Sequence, residues 1–121
     1  MITNSSSHKR GDIWITELNP TVGAEIYKKR PTLIINSDSL GKLPIKLVAP
    51  ITDWKEKFAG NIWHVKIEAN SQNGLSKDSA VDTLQLRGVD KQRLIRKIGE
   101  CSSEIMEEIA AAIAAVVEYD K

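Results

Sequence analysis

Apolar positions along this chain fall in short bursts, and only the last burst has the period of a helix. "GDIWITEL" (11–18) mixes β-branched and aromatic residues and reads as a strand. "PTLIIN" (31–36) is a continuous apolar run, the pattern of a strand buried on both faces, with Pro31 at its first position. "IKLVAPI" (45–51) is a third strand, and Pro50 is expected to mark its edge or exit. In "IWHVKIE" (62–68) Trp63, Val65 and Ile67 share one face, while His64, Lys66 and Glu68 share the other. "AVDTLQLR" (80–87) reads as a fifth strand that carries Gln85 and Arg87 on one face. "KIGEC" is a last short strand.

Turn chemistry separates these runs. Asn19-Pro20 and Gly23 punctuate a long loop before the second strand, and Asn73-Gly74 is the strongest turn signal. Asp90 is placed to cap a single helical turn, "KQRLI". Ser102 or Ser103 then caps one long helix, in which Ile105, Ile109, Ile113 and Val116 recur at helical spacing. Glu104 sits in its first turn, where the macrodipole favours an anion. The fold class expected is mainly β with α+β character: a small, partly open β-barrel with a C-terminal α-helix across one face.

Length adds that the 121 residues form one domain, 10–121, preceded by a flexible arm, 1–9. The arm, "MITNSSSHK", has no apolar core of a secretory signal, and no run approaches the ~18 residues of a membrane span. Cys101 is the single cysteine, so no internal disulfide forms, which fits a reducing, cytoplasmic setting. Two distant histidines and one cysteine offer no metal-ligand spacing, and no cofactor is expected. Net charge is only +1, so any recognition of phosphate must be local rather than global. Two places concentrate cations: Lys28-Lys29-Arg30 before the apolar run, and residues 85–97, with Arg87, Lys91, Arg93, Arg96 and Lys97 against Asp90.

Six segments occur in a fixed order: "RGDIW", "NPT-x-G-x-E", "RP-x-L-I-I", "API-T", "GL-x-KDS" and "LQ-x-R-x-x-DKQRL". Each is weak alone. Together, over more than 100 residues, they resemble the MazF/PemK family of type II toxin–antitoxin endoribonucleases. The resemblance implies an SH3-like barrel with a C-terminal helix that works as a homodimer. It implies metal-free, sequence-specific cleavage of single-stranded RNA by attack of the 2′-hydroxyl. It also implies a cognate antitoxin protein as partner.

The resemblance assigns catalysis to Arg30, at the "RP" step, and to Thr52, at the "IT" step. A guanidinium can hold two phosphate oxygens at once and keep its charge, and a threonine hydroxyl can donate to a non-bridging phosphate oxygen or orient the 2′-hydroxyl. Glu25 is a candidate base or a brace for the arginine. Gln85 and Arg87 match the family's RNA-contacting "Q-x-R", while Lys28 and Lys29 would draw in the backbone. Trp54, followed by Phe58 and interleaved with Lys55 and Lys57, could stack an unpaired base or simply pack on the barrel. His64 is read as structural. Three positions depart from the family pattern: Val22, Ala24 and Leu84 stand where relatives often carry a cation, a serine and a carboxylate. The alternative reading is a non-catalytic SH3-like module that holds nucleic acid or an acidic peptide in the same cationic pocket.

Overall fold

The structure is a computed structural model, and it describes residues 7–119. Seven strands and one helix follow in order: β1 (Asp12–Glu17), β2 (Lys29–Ile34), β3 (Ile45–Asp53), β4 (His64–Ile67), β5 (Ser79–Asp82), β6 (Arg87–Asp90), β7 (Leu94–Glu100) and α1 (Ser103–Val116). All pairings are antiparallel, in the order β4-β5-β3-β2-β1-β7, with β6 also paired to β3. The sheet is not closed, so the expected partly open barrel with a C-terminal helix is what forms.

Strand alternation divides the interior in two. Leu33 and Ala49 face one way and join Ile13, Ile51, Val65, Ile67 and Val81 beneath Met106, Ile109 and Ala112 of α1. Their neighbours Ile34 and Val48 face the other way, with Val89, Leu94 and Trp14. A run such as "TLII" is buried on both sides for that reason. Register shifts between β1 and β7, at Ile13/Trp14 and at Ile15/Thr16, add the twist that curls the sheet.

Several strand expectations need correction. Pro50 does not end β3. It lies inside that strand, buried and opposite Thr32. On its other side β3 pairs with β6 over Ile45–Val48 and with β5 over Ile51–Asp53. Pro50 falls in the gap between these two partners, where no ladder bond depends on its missing N–H.

The expected strand 80–87 is likewise two strands with a turn between them. The Asp82 carboxylate accepts the Leu84 and Gln85 N–H groups, which winds Thr83–Gln85 into a 3₁₀ turn. Gln85 is therefore not on the same strand face as Arg87, which begins β6. Pro31 is third in β2 rather than first, because Lys29 and Arg30 extend the ladder opposite Glu17 and Thr16.

Other local readings hold. Asp90 caps the turn Lys91–Arg93, its carboxylate accepting from the Gln92 N–H. Ser102 caps α1 by accepting from the Ile105 N–H, a contribution of about 1 kcal/mol. The last strand is longer than "KIGEC", beginning at Leu94. The first six residues of the expected arm lie outside the described residues. Of its remainder, the His8 ring lies 4.4 Å from that of Trp14, and the Lys9 N–H donates to Asp12. Among the described residues no helix is long and apolar enough to cross a membrane.

Candidate active site

Arg30 and Thr52 arrive from adjacent strands. The β2–β3 ladder ends at Thr32 opposite Pro50, and continuing that register by two residues sets Arg30 across from Thr52. Both line one open cleft of about 270 Å³, with Asp53, Ser76, Lys77 and Arg96. Ile51, almost wholly buried in the interior, forms part of its wall.

The contacts of Arg30 matter most. Its Nε donates to the Tyr27 carbonyl at 3.2 Å, which anchors the stem and leaves both terminal nitrogens uncommitted. Among the described residues it has no carboxylate within ion-pair distance. A half-buried guanidinium without a counter-ion is an anion receptor in wait. The Thr52 hydroxyl donates at 3.3 Å to the Asp53 carbonyl and keeps its oxygen free to accept. Asp53 is the carboxylate of the cleft, 3.3 Å from the Lys77 ammonium. Arg96 belongs to the cation-rich stretch 85–97, whereas Ser76 and Lys77 give no sequence signal as site residues beyond their place in the segment "GL-x-KDS".

The other expected site residues gather elsewhere. Glu25, Gln85 and Arg87 line a second cleft of about 510 Å³, which shares no lining residue with the first. The Glu25 carboxylate accepts the Val22 N–H at 2.8 Å, so its observed partner is the loop rather than Arg30. Gln85 is a clamp on the same loop. Its Oε1 accepts the Ile26 N–H at 2.6 Å, and its Nε2 donates to the Ala24 carbonyl and to Asp82 at 3.4 Å each. Arg87 donates to the Leu18 carbonyl at 3.1 Å, and Arg93 donates to the carbonyls of Glu17 and Asn19. Three side chains from residues 85–93 thus tie down the long loop between β1 and β2. Gln85→Ala should cost about 1–2 kcal/mol by leaving Ile26 without its partner. Amide hydrogen exchange checks this directly: Ile26 is expected to lose protection while the β2 amides keep theirs.

Lys28 and Lys29 are exposed and line neither cleft. Lys28 adopts φ 72°, a left-handed conformation held by its N–H bond to Asn19 Oδ1 and by the Leu18 N–H bond to its carbonyl. Its ammonium stands 5.1 Å over the Tyr27 ring.

Trp54 packs on the protein. Its ring meets Phe58 edge-on at 5.9 Å, its Nε1 donates to Glu56, and the Lys66 ammonium lies 5.1 Å from its centroid. Phe58 in turn stacks on His64 at 3.9 Å. His64 is placed between Asn61, 3.1 Å from Nδ1, and Asp82, 3.7 Å from Nε2.

Burial pushes the His64 pKa below its ordinary 6.5, and the Asp82 carboxylate only partly restores it. The unfolded chain therefore takes up the proton more readily than the folded one. Stability from this site is complete above pH 6.5 and declines as pH falls below it. His64→Gln is expected to flatten that slope, read from urea midpoints at about pH 7 and about pH 5.5. The Cys101 thiol is pushed by burial to about 11, which makes it a poor nucleophile. Among the described residues no three His, Cys, Asp or Glu side chains are grouped to hold a metal ion.

Comparison with known proteins gives this geometry a setting. Residues 9–117 match the model of the PemK-like, MazF-like toxins of type II toxin–antitoxin systems. The chain is 38% identical over 106 residues to Endoribonuclease EndoA of Bacillus subtilis, covering 87% of this chain and 90% of that one. It is 39% identical over 106 residues to Endoribonuclease MazF of Staphylococcus saprophyticus, covering 87% of each. Its fold matches that of Mycobacterium tuberculosis toxin MazF-mt6 with a TM-score of 0.74 at 26% identity, over 91% of this chain and 99% of that one. The ordered segments, the half-open barrel with its terminal helix and the family match agree, and the chain belongs to the PemK-like, MazF-like toxins of type II toxin–antitoxin systems.

Proposed function

We propose that this chain is an endoribonuclease that cuts single-stranded RNA without a metal ion, with Arg30 and Thr52 as its catalytic pair. The observation that carries the reading is the Arg30 guanidinium. It is tethered through Nε, has no counter-ion among the described residues, and opens on the cleft that Thr52 shares. Its two terminal nitrogens can hold the non-bridging oxygens of a scissile phosphate, while Thr52 orients the third side of the group.

In the proposed reaction the RNA's 2′-oxygen attacks phosphorus and the bond from phosphorus to the 5′-oxygen breaks. The 2′ proton leaves to a carboxylate, for which Asp53 stands in the cleft; the departing 5′-oxygen gains a proton from a water molecule, and the hydroxide so formed takes the proton back from the carboxylic acid. The products are a 2′,3′-cyclic phosphate and a 5′-hydroxyl. Negative charge that builds on the phosphorane is met by Arg30, Arg96 and Lys77 together. Glu25 and Gln85 then serve the reaction by holding the loop beside the second cleft, where a neighbouring base would rest near Arg87. Lys28, Lys29 and the Trp54 ring border the approach rather than the reacting phosphate.

The setting proposed is the cytoplasm, where RNA is the substrate. A cognate antitoxin protein would cover the second cleft, gripping the exposed Val22 and Leu84 at its rim. A homodimer formed through the open edges of β4 or β7, or through α1, completes the proposal.

The test is incubation of a mixed-sequence RNA with the purified chain in EDTA. Fragments ending in 2′,3′-cyclic phosphate are expected, at a restricted set of sequences. RNA that is bound but left whole would instead favour a non-catalytic binding module.

A further inference from the structure

At the far end of β3 from Thr52 a separate cleft of about 290 Å³ is lined by Lys9, Lys42, Lys46 and Lys91, with Asp38. Lys46 is the unusual member. It is only 7% exposed, yet among the described residues its ammonium has neither an ion pair nor a hydrogen-bond acceptor. Among those residues no fully buried side-chain nitrogen lacks a partner, so the ammonium must be reached by solvent, and the cleft is the space it borders. With its stem buried and its ammonium opening on the cleft, Lys46 presents a charge that an anion held there would meet directly.

The surroundings are set up for such a group. Lys9, Lys42 and Lys91 come from three different segments, and all are exposed at the rim. The one carboxylate, Asp38, is already engaged, its Oδ1 accepting the Arg10 N–H at 2.8 Å. Backbone bonds hold the walls: the Lys91 N–H donates to the Pro44 carbonyl, and Lys46 is opposite Val89 in the β3–β6 ladder. Six residues separate Lys46 from Thr52 along an extended strand, about 20 Å, so this is not the Arg30 cleft.

We propose that this lysine-walled cleft binds a phosphate monoester, with Lys46 at its floor. Such a group is carried by a free nucleotide or by the 5′ end of an RNA chain. Four cations suit a dianion better than the single charge of a backbone diester, and the cleft is large enough for a phosphate and part of a sugar.

The experiment uses the Arg30→Ala chain, in which RNA cutting is expected to be slowed; phosphate and AMP offer no internucleotide bond to cut, so the site stands or falls whether or not Arg30 is catalytic. Inorganic phosphate, AMP and a short RNA with either a 5′-phosphate or a 5′-hydroxyl are titrated at matched ionic strength. Amide shifts of residues 41–46 and 91 and the rise in Tm are followed. Saturable binding of phosphate and AMP is expected, weakened at least tenfold by Lys46→Met. The same loss in Lys91→Gln, at an exposed position that leaves the fold alone, guards against a folding defect. Preference for 5′-phosphorylated over 5′-hydroxyl RNA, with weak binding of AMP, would identify the RNA end as the source. The proposal is overturned if none of the phosphate ligands saturates. It is equally overturned if sodium chloride produces the same shifts, or if binding survives both substitutions.

Discussion

Arg30→Ala is expected to lower the single-turnover rate of RNA cleavage by about 10²–10³, the usual effect of removing one preorganised donor from developing negative charge. Protein stability should scarcely change. The side chain gives the fold one hydrogen bond, from Nε to the Tyr27 carbonyl, and has no ion pair among the described residues to lose. Arg30→Lys separates charge from geometry. A lysine keeps the positive charge but has no planar fork and cannot be tethered through one nitrogen while two others hold the phosphate. It should recover only a small part of the rate. Cleavage of a labelled RNA, measured beside circular dichroism and thermal melting, checks both claims. A variant that melts like the parent and cuts at the parent's rate would remove Arg30 from the chemistry.

Gly74→Ala should give the largest loss of stability, about 3–4 kcal/mol. Gly74 has φ 70°, where an L side chain costs roughly 1–2 kcal/mol. A Cβ built there collides with the carbonyl of Ile98 on β7, and overpacking against backbone adds about 1–3 kcal/mol. Neither side can yield. Asn73, 2% exposed, rivets the turn by accepting the N–H groups of Asn70 and Leu75 and donating to the Glu68 carbonyl. The Glu100 N–H donates back to Gln72 from the β7 side. A chain of this length should lose on the order of 10–20 °C in Tm, read by calorimetry. A shift of only a degree or two would mean that the turn has slack that its hydrogen bonds do not suggest. Because Gly74 also lines the Arg30 cleft, activity should fall even at temperatures where the variant is still folded.

The parts of the fold that were legible are those where one local rule acts alone. β-Branched and aromatic composition set β1, alternation set β4, a doubly apolar run set β2, and spacing with a serine cap set α1. The misreadings come from competition that a short window does not reveal. Alternation continues through "AVDTLQLR", but the Asp82 carboxylate offers the next two N–H groups a better acceptor than a neighbouring strand does. Pro50 looked like an exit because a central proline normally loses a ladder bond. Only the tertiary pairing shows that β3 changes partners at that residue.

The site divides the same way. Arg30 and Thr52, proposed as the catalytic pair, were named through the resemblance, and both line one cleft. The company they keep was not legible, since Lys77 and Arg96 reach the cleft from distant segments. Gln85 is expected to contact RNA through its match to the family's "Q-x-R". Its occupied amide follows from the fold of a loop some 60 residues earlier. Lys46 gave no sign beyond an ordinary strand position, because burial without a partner is a property of the assembled walls.

The change of partner along β3 has a consequence for how the molecule comes apart. Its first half is one wall of the interior around Val89 and Leu94, and its second half carries β5 and β4 beneath the helix. Both interiors draw side chains from this one strand. The two apolar clusters are therefore bound to a common fate, and the toxin should pass from native to denatured as one cooperative unit, with no half-folded species in which one cluster outlives the other.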